Sequence, residues 1–140
     1  MQSNLEKARN TLEQGGFTCV VCSDDTLYTS QHRGVKPLLD FIDQGIDLNG
    51  FSAADKVIGK ATALLYCLLN VKEVYAQVIS DAAAQVFQAH AVPVQWEHRV
   101  DFIRNRTNTG RCPMETATET ITDPQEALIA IRTTLAKLQG

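Results

Sequence analysis

The chain has 140 residues, 44% of them hydrophobic and 21% charged, with a formal net charge of -3 and a pI near 5.5. That length suits one domain with a real core, and the acidic balance excludes a broad surface for nucleic acid or anionic lipid, which needs clustered Lys and Arg. No run is long and apolar enough to span a bilayer, and MQSNLEKARNTLEQ lacks the basic and apolar segments of a leader, so a cytoplasmic protein is expected.

Leu5, Ala8 and Leu12 fall at helical spacing and predict a helix over residues 3 to 14, stopped at Gly15-Gly16. FTCVVCS and TLYTS read as the two strands of a hairpin about Asp24 and Asp25. Cys19 and Cys22 make a C-x-x-C, but residues three apart on a strand point to opposite faces, so the pair reads as two buried thiols. With Cys67 and Cys112 the four cysteines are too scattered for the disulfide framework of a small secreted domain.

HRGVKPLLDFIDQG predicts a loop and a short helix near Pro37, with Leu38, Leu39, Phe41 and Ile42 inward and Gly45 as the stop. SAADKVIGKATALLYCLLN predicts the central helix: Ser52 and Asp55 form a capping box, and Val57, Ala61, Leu64, Leu65 and Leu68 its apolar stripe. KEVYAQVIS predicts a strand, residues 81 to 90 a helix and VPVQWE another strand, an alternation that implies parallel pairing. After the polar loop RNRTNTGR come a short helix from Pro113 and a last one from Pro124 to Leu138. The sum is an α/β chain, a three-layer α/β/α sandwich around a mixed sheet whose first two strands are antiparallel, as a single domain over residues 1–140.

This order resembles the cytidine deaminase fold, in which the helix after the first hairpin and the helix after the third strand carry zinc ligands. RGVKPLL, ADKVIGKA and TGRCPMETA, in that order over nearly the whole chain, look like the motifs of domain-of-unknown-function family 1893, uncharacterised proteins assigned a cytidine-deaminase-like fold. The resemblance implies a fold and a pocket, and brings no established activity. A zinc deaminase needs His or Cys followed two residues on by Glu at the first helix, and P-C-x-x-C at the second. The corresponding positions hold Ala54, Asp55, Lys56 and Ser80, Asp81, Ala82, while His32, His90 and His98 have no ligand spacing. Neither zinc deamination, nor a metal, nor a cofactor is expected.

Ligands of α/β sheets collect at the carboxyl ends of strands and at helix N-termini. On the helical reading Lys56 sits in a first turn, where the macrodipole disfavours a cation, and Lys60 repels it from one turn on, so a bound anion would relieve both. Gly59 inside that helix costs about 1 kcal/mol relative to Ala and signals a close approach. Ser80 at the next helix start, and Arg33 and Lys36 of HRGVKP, are further ligand-binding candidates.

Cys112-Pro113-Met114-Glu115 has the form of a capping box with a thiol in the capping place. A thiolate there meets free backbone N–H groups, and thiol pKa values at such positions fall to roughly 3.5 to 7.5. Arg106, Thr109 and Gly110 of the preceding loop suit contacts with a carboxylate or phosphate. The sequence therefore points to a small-molecule enzyme, a cysteine-dependent hydrolase or transferase. Cys112 would be its nucleophile and Asp55 or Glu115 its proton carrier, with Lys56, Lys60 and Arg106 holding an anionic or carbonyl-bearing substrate. The alternative is a non-catalytic ligand-binding or sensor domain that keeps the pocket. The expected partner is a small molecule, not nucleic acid or membrane, and a homo-oligomer is compatible with the sequence.

Overall fold

The computed structural model describes residues 3–32, 34–103 and 113–139, so Arg33, Arg106, Thr109, Gly110 and Cys112 lie outside the described residues. Helix α1 (Asn4–Gly15) starts where Ser3 Oγ accepts the Glu6 N–H at 3.1 Å and ends at Gly16, whose φ of 70° is left-handed. Strands β1 (Cys19–Ser23) and β2 (Thr26–Ser30) form the expected hairpin, in register from Cys19–Ser30 to Ser23–Thr26. Helix α2 (Lys36–Asp43) carries Pro37 in its first turn and buries Leu38, Leu39 and Phe41.

The predicted central helix is in fact two elements. Residues Ser52–Ile58 are strand β3, and helix α3 (Lys60–Leu68) begins only after Gly59. Ser52 and Asp55 form no capping box: the Ser52 hydroxyl donates to Glu73 Oε2 at 2.6 Å, and Asp55 accepts the Tyr66 hydroxyl. Lys56 therefore lies in a strand and Lys60 is the first residue of a helix, so they are not a repelling pair one turn apart. Gly59 is a cap in extended conformation (φ -94°), not a helix-interior glycine. Neighbours override propensity here: β3 is an inner strand, paired with β1 on one side and the next strand on the other, and inner position outweighs a sequence poor in β-branched residues.

The rest follows in order: β4 (Glu73–Ser80), α4 (Asp81–Ala89), β5 (Val94–Val100), α5 (Pro113–Ala117) and α6 (Pro124–Gln139). The sheet order is β2-β1-β3-β4-β5. β1 is antiparallel to both neighbours, while β3, β4 and β5 are parallel as the strand–helix alternation predicts.

Strand alternation divides the core. Val20, Cys22, Ala54 and Tyr75 pack against Ala8 and Leu12 of α1. Cys19, Val21, Ala53, Val74 and Ala76 pack in the second core cluster with side chains of α2 to α6, with α3 at its centre. Cys19 and Cys22 thus sit on opposite faces, as two free buried thiols. Among the described residues no helix is long and apolar enough to cross a membrane.

Candidate functional site

Parallel β3 and β4 both end where a helix begins, so Ile58-Gly59-Lys60 and Ser80-Asp81 lie at the carboxyl end of the sheet. Gly59 has no side chain to cap α3, and the cap comes from far along the chain: Glu115 Oε1 accepts the Lys60 N–H at 3.1 Å. The approach is close enough that a Cβ on Gly59 would stand 2.5 Å from Glu115 Oε1 and 3.2 Å from Ile103 Cγ1. Glu115 is buried, and its carboxylate occupies the positive end of α3 that an anionic ligand would otherwise favour. Lys60 is anchored as well, its ammonium donating to the Glu119 carbonyl at 2.8 Å.

Ser80 is fully buried and caps α4, its hydroxyl accepting the Ala83 N–H at 3.1 Å. Lys56 is half-buried and makes no ion pair among the described residues, Asp55 included. Lys36 is exposed and pairs with Asp40 at 3.3 Å, one turn along α2.

Asp55 lies beneath this end, in the core. Its Oδ2 accepts the Tyr66 hydroxyl at 2.7 Å and its Oδ1 the Val57 N–H at 3.2 Å, and Tyr66 Oη is 3.2 Å from Cys19 Sγ. Strand register sets Cys19 opposite Asp55, and α3 lays Tyr66 over both. Burial pushes the Asp55 carboxyl up to about 7, opposed by the hydrogen bonds from Tyr66 and the backbone. Burial also raises the Cys19 thiol and the Tyr66 phenol, each pushed further by the Asp55 charge. No buried side-chain polar atom among the described residues lacks a partner.

Sequence reasoning missed Tyr66 and Cys19, whose relation to Asp55 exists only through strand register and helix packing. It also missed a cavity of about 650 Å³ between β2 and α2, lined by Phe17, Tyr28, His32, Asp40, Phe41 and Gln44 among others. The one signal that could have found it is the apolar and aromatic content of LYTS and PLLDFI on either side of RGVK.

A mixed five-stranded sheet between α1 and the remaining helices, with titratable candidates at and below the carboxyl end of its parallel part, defines an α/β domain of the three-layer kind. The chain belongs to the family described as Domain of unknown function (DUF1893), whose model matches residues 7–135. Its fold is similar to the crystal structure of a DUF1893 family protein (TM1506) from Thermotoga maritima, with a TM-score of 0.84 at 24% identity, covering 98% of this chain and 92% of that one. No curated protein matches the chain.

Proposed function

We propose that this chain is a small-ligand-binding domain, on a cytidine-deaminase-like scaffold without that fold's zinc ligands, whose described acidic groups serve the fold and not a reaction. One observation carries the reading: both carboxylates placed to move protons are committed elsewhere. Glu115 caps α3 and Asp55 is enclosed with Tyr66 and Cys19. A general acid or base has to come within hydrogen-bond reach of the substrate, and Asp55 at 6% exposure is walled in by β1, β3 and α3.

A second reading keeps the enzyme, with Cys112 as nucleophile and Lys56, Lys60 and Arg106 around an anionic or carbonyl-bearing substrate. The clamp of Glu115 on Lys60 favours it, because the clamp fixes α5 at the carboxyl end of β3 and Cys112 precedes α5 in sequence. Alkylation rates of each cysteine against pH, read by mass spectrometry on the folded protein, separate the two. The binding reading expects Cys112 to titrate at or above the ordinary thiol value of roughly 8.5. A Cys112 that reacts with an apparent pKa near 7 or below transfers the conclusion to the enzyme.

A further inference from the structure

From the cavity between β2 and α2 we infer a binding site for an aromatic amine, a flat ring seated on the aromatic wall with its protonated nitrogen directed at Asp40. The inference rests on the ligand-binding reading and gives it a place and a ligand class.

The wall is rigid. The Tyr28 ring is held 5.9 Å from Phe41 in a tilted arrangement and 6.1 Å from Phe51 in a stacked one, and Phe41 and Pro37 are themselves buried in α2. Rings fixed by packing present apolar area with little rotamer freedom left to lose on binding. The volume, about 650 Å³, lies within the roughly 300–1,000 Å³ that small-molecule sites enclose. On the polar side, the side chains of Gln31, His32 and Gln44 make no hydrogen bond among the described residues, which leaves them for a ligand.

Asp40 sets the charge preference. It lines the cavity, and its partner Lys36 is 58% exposed, so that ion pair is a weak surface one that an incoming ammonium can replace. The next acid of α2, Asp43, is already held by Arg132 at 2.8 Å, so Asp40 is the carboxylate that remains at the cavity. Among the described residues of the lining there is no Lys or Arg, so an anion would meet that carboxylate there without a matching ammonium or guanidinium. A ring lacking an amine would gain the wall but not the charge-assisted hydrogen bond.

The test uses the full chain, ¹⁵N-labelled, titrated with tryptamine, indole and indole-3-acetate in turn while amide shifts are followed by NMR. The expected result is saturable shifts confined to residues 28–32 and 40–46, with tryptamine bound about fivefold more tightly than indole and indole-3-acetate weakest. Asp40→Asn, a change at a partly exposed helix position, should bring tryptamine down to the level of indole and leave indole unchanged. Tyr28→Leu should weaken all three. Saturable shifts at some other place on the chain overturn the assignment of the cavity while leaving a ligand-binding domain. Absence of saturable shifts for all three probes, or an unchanged order in Asp40→Asn, overturns the aromatic-amine inference itself.

Discussion

Asp55 enters the interior without a cation to meet it, since it makes no ion pair among the described residues; hydrogen bonds from the Tyr66 hydroxyl and the Val57 N–H stand in for one, and Cys19 joins the group only through Tyr66. The Tyr66 hydroxyl can point only one way at a time. With Asp55 ionised, Tyr66 donates to Oδ2 and accepts from the Cys19 thiol; with Asp55 protonated, the carboxyl donates to Tyr66, which turns to donate to sulfur. A carboxyl raised to about 7 in the folded chain, against about 4 when unfolded, holds its proton more tightly when folded. Its contribution to stability is therefore full below about pH 4 and is lost as the pH rises through about 7. Asparagine can keep the same contacts, accepting from Val57 and donating to Tyr66, without ionising. Urea unfolding at pH 5 and pH 8 should show the wild type losing on the order of 1–3 kcal/mol more than Asp55→Asn over that interval. Parallel curves for the two proteins would remove the proposed ionisation.

At the scale of elements, the join between β3 and α3 is the feature the sequence both signalled and hid. Gly59 advertises a close approach, and the approach exists, but the group that approaches is Glu115 on α5, and no local pattern connects the two. Ser52 and Asp55 at capping-box spacing drew the helix seven residues too early, because a strand enclosed by β1 and β4 takes its identity from neighbours. By contrast α1, α4 and the hairpin were legible, as Ser3, Ser80 and the turn at Asp24 carry their own local chemistry. The clamp is testable by a double-mutant cycle. Gly59→Ala should cost about 1–3 kcal/mol, from overpacking against the Glu115 carboxylate, and Glu115→Ala about 0.5–2 kcal/mol, as for a lost cap. Truncating Glu115 first should relieve part of the Gly59→Ala penalty, giving a coupling of at least about 0.5 kcal/mol. Additive penalties would mean that Ile103 and not Glu115 excludes the side chain.

For the whole molecule, the period-2 reading of FTCVVCS had a global consequence that the structure bears out: Cys19 faces the helical layer and Cys22 faces α1. Neither thiol reaches the other or the solvent, and burial raises both above the ordinary thiol range. Cys67, half-buried beyond the sheet's other end and pushed up to about 11, is the more open of the three described thiols. Native-state labelling at neutral pH should modify Cys67 before Cys19 and Cys22, with these last two reacting together at the rate of global opening. Separate labelling of Cys22 would indicate that α1 detaches as an independent unit. The layered architecture was thus readable from hydrophobic periodicity, whereas the candidate site was not: Asp55, Tyr66 and Cys19 come from three elements, and the cavity from two others.

The bond from Lys60 to Glu115 spans 55 positions of the chain, and that span bears on the order in which the protein can be made. During synthesis α3 is made with its first turn uncapped, and the carboxylate that completes it is translated 55 residues later. The bond that caps the central helix therefore waits on a residue made after all five strands, β1 to β5, have been translated.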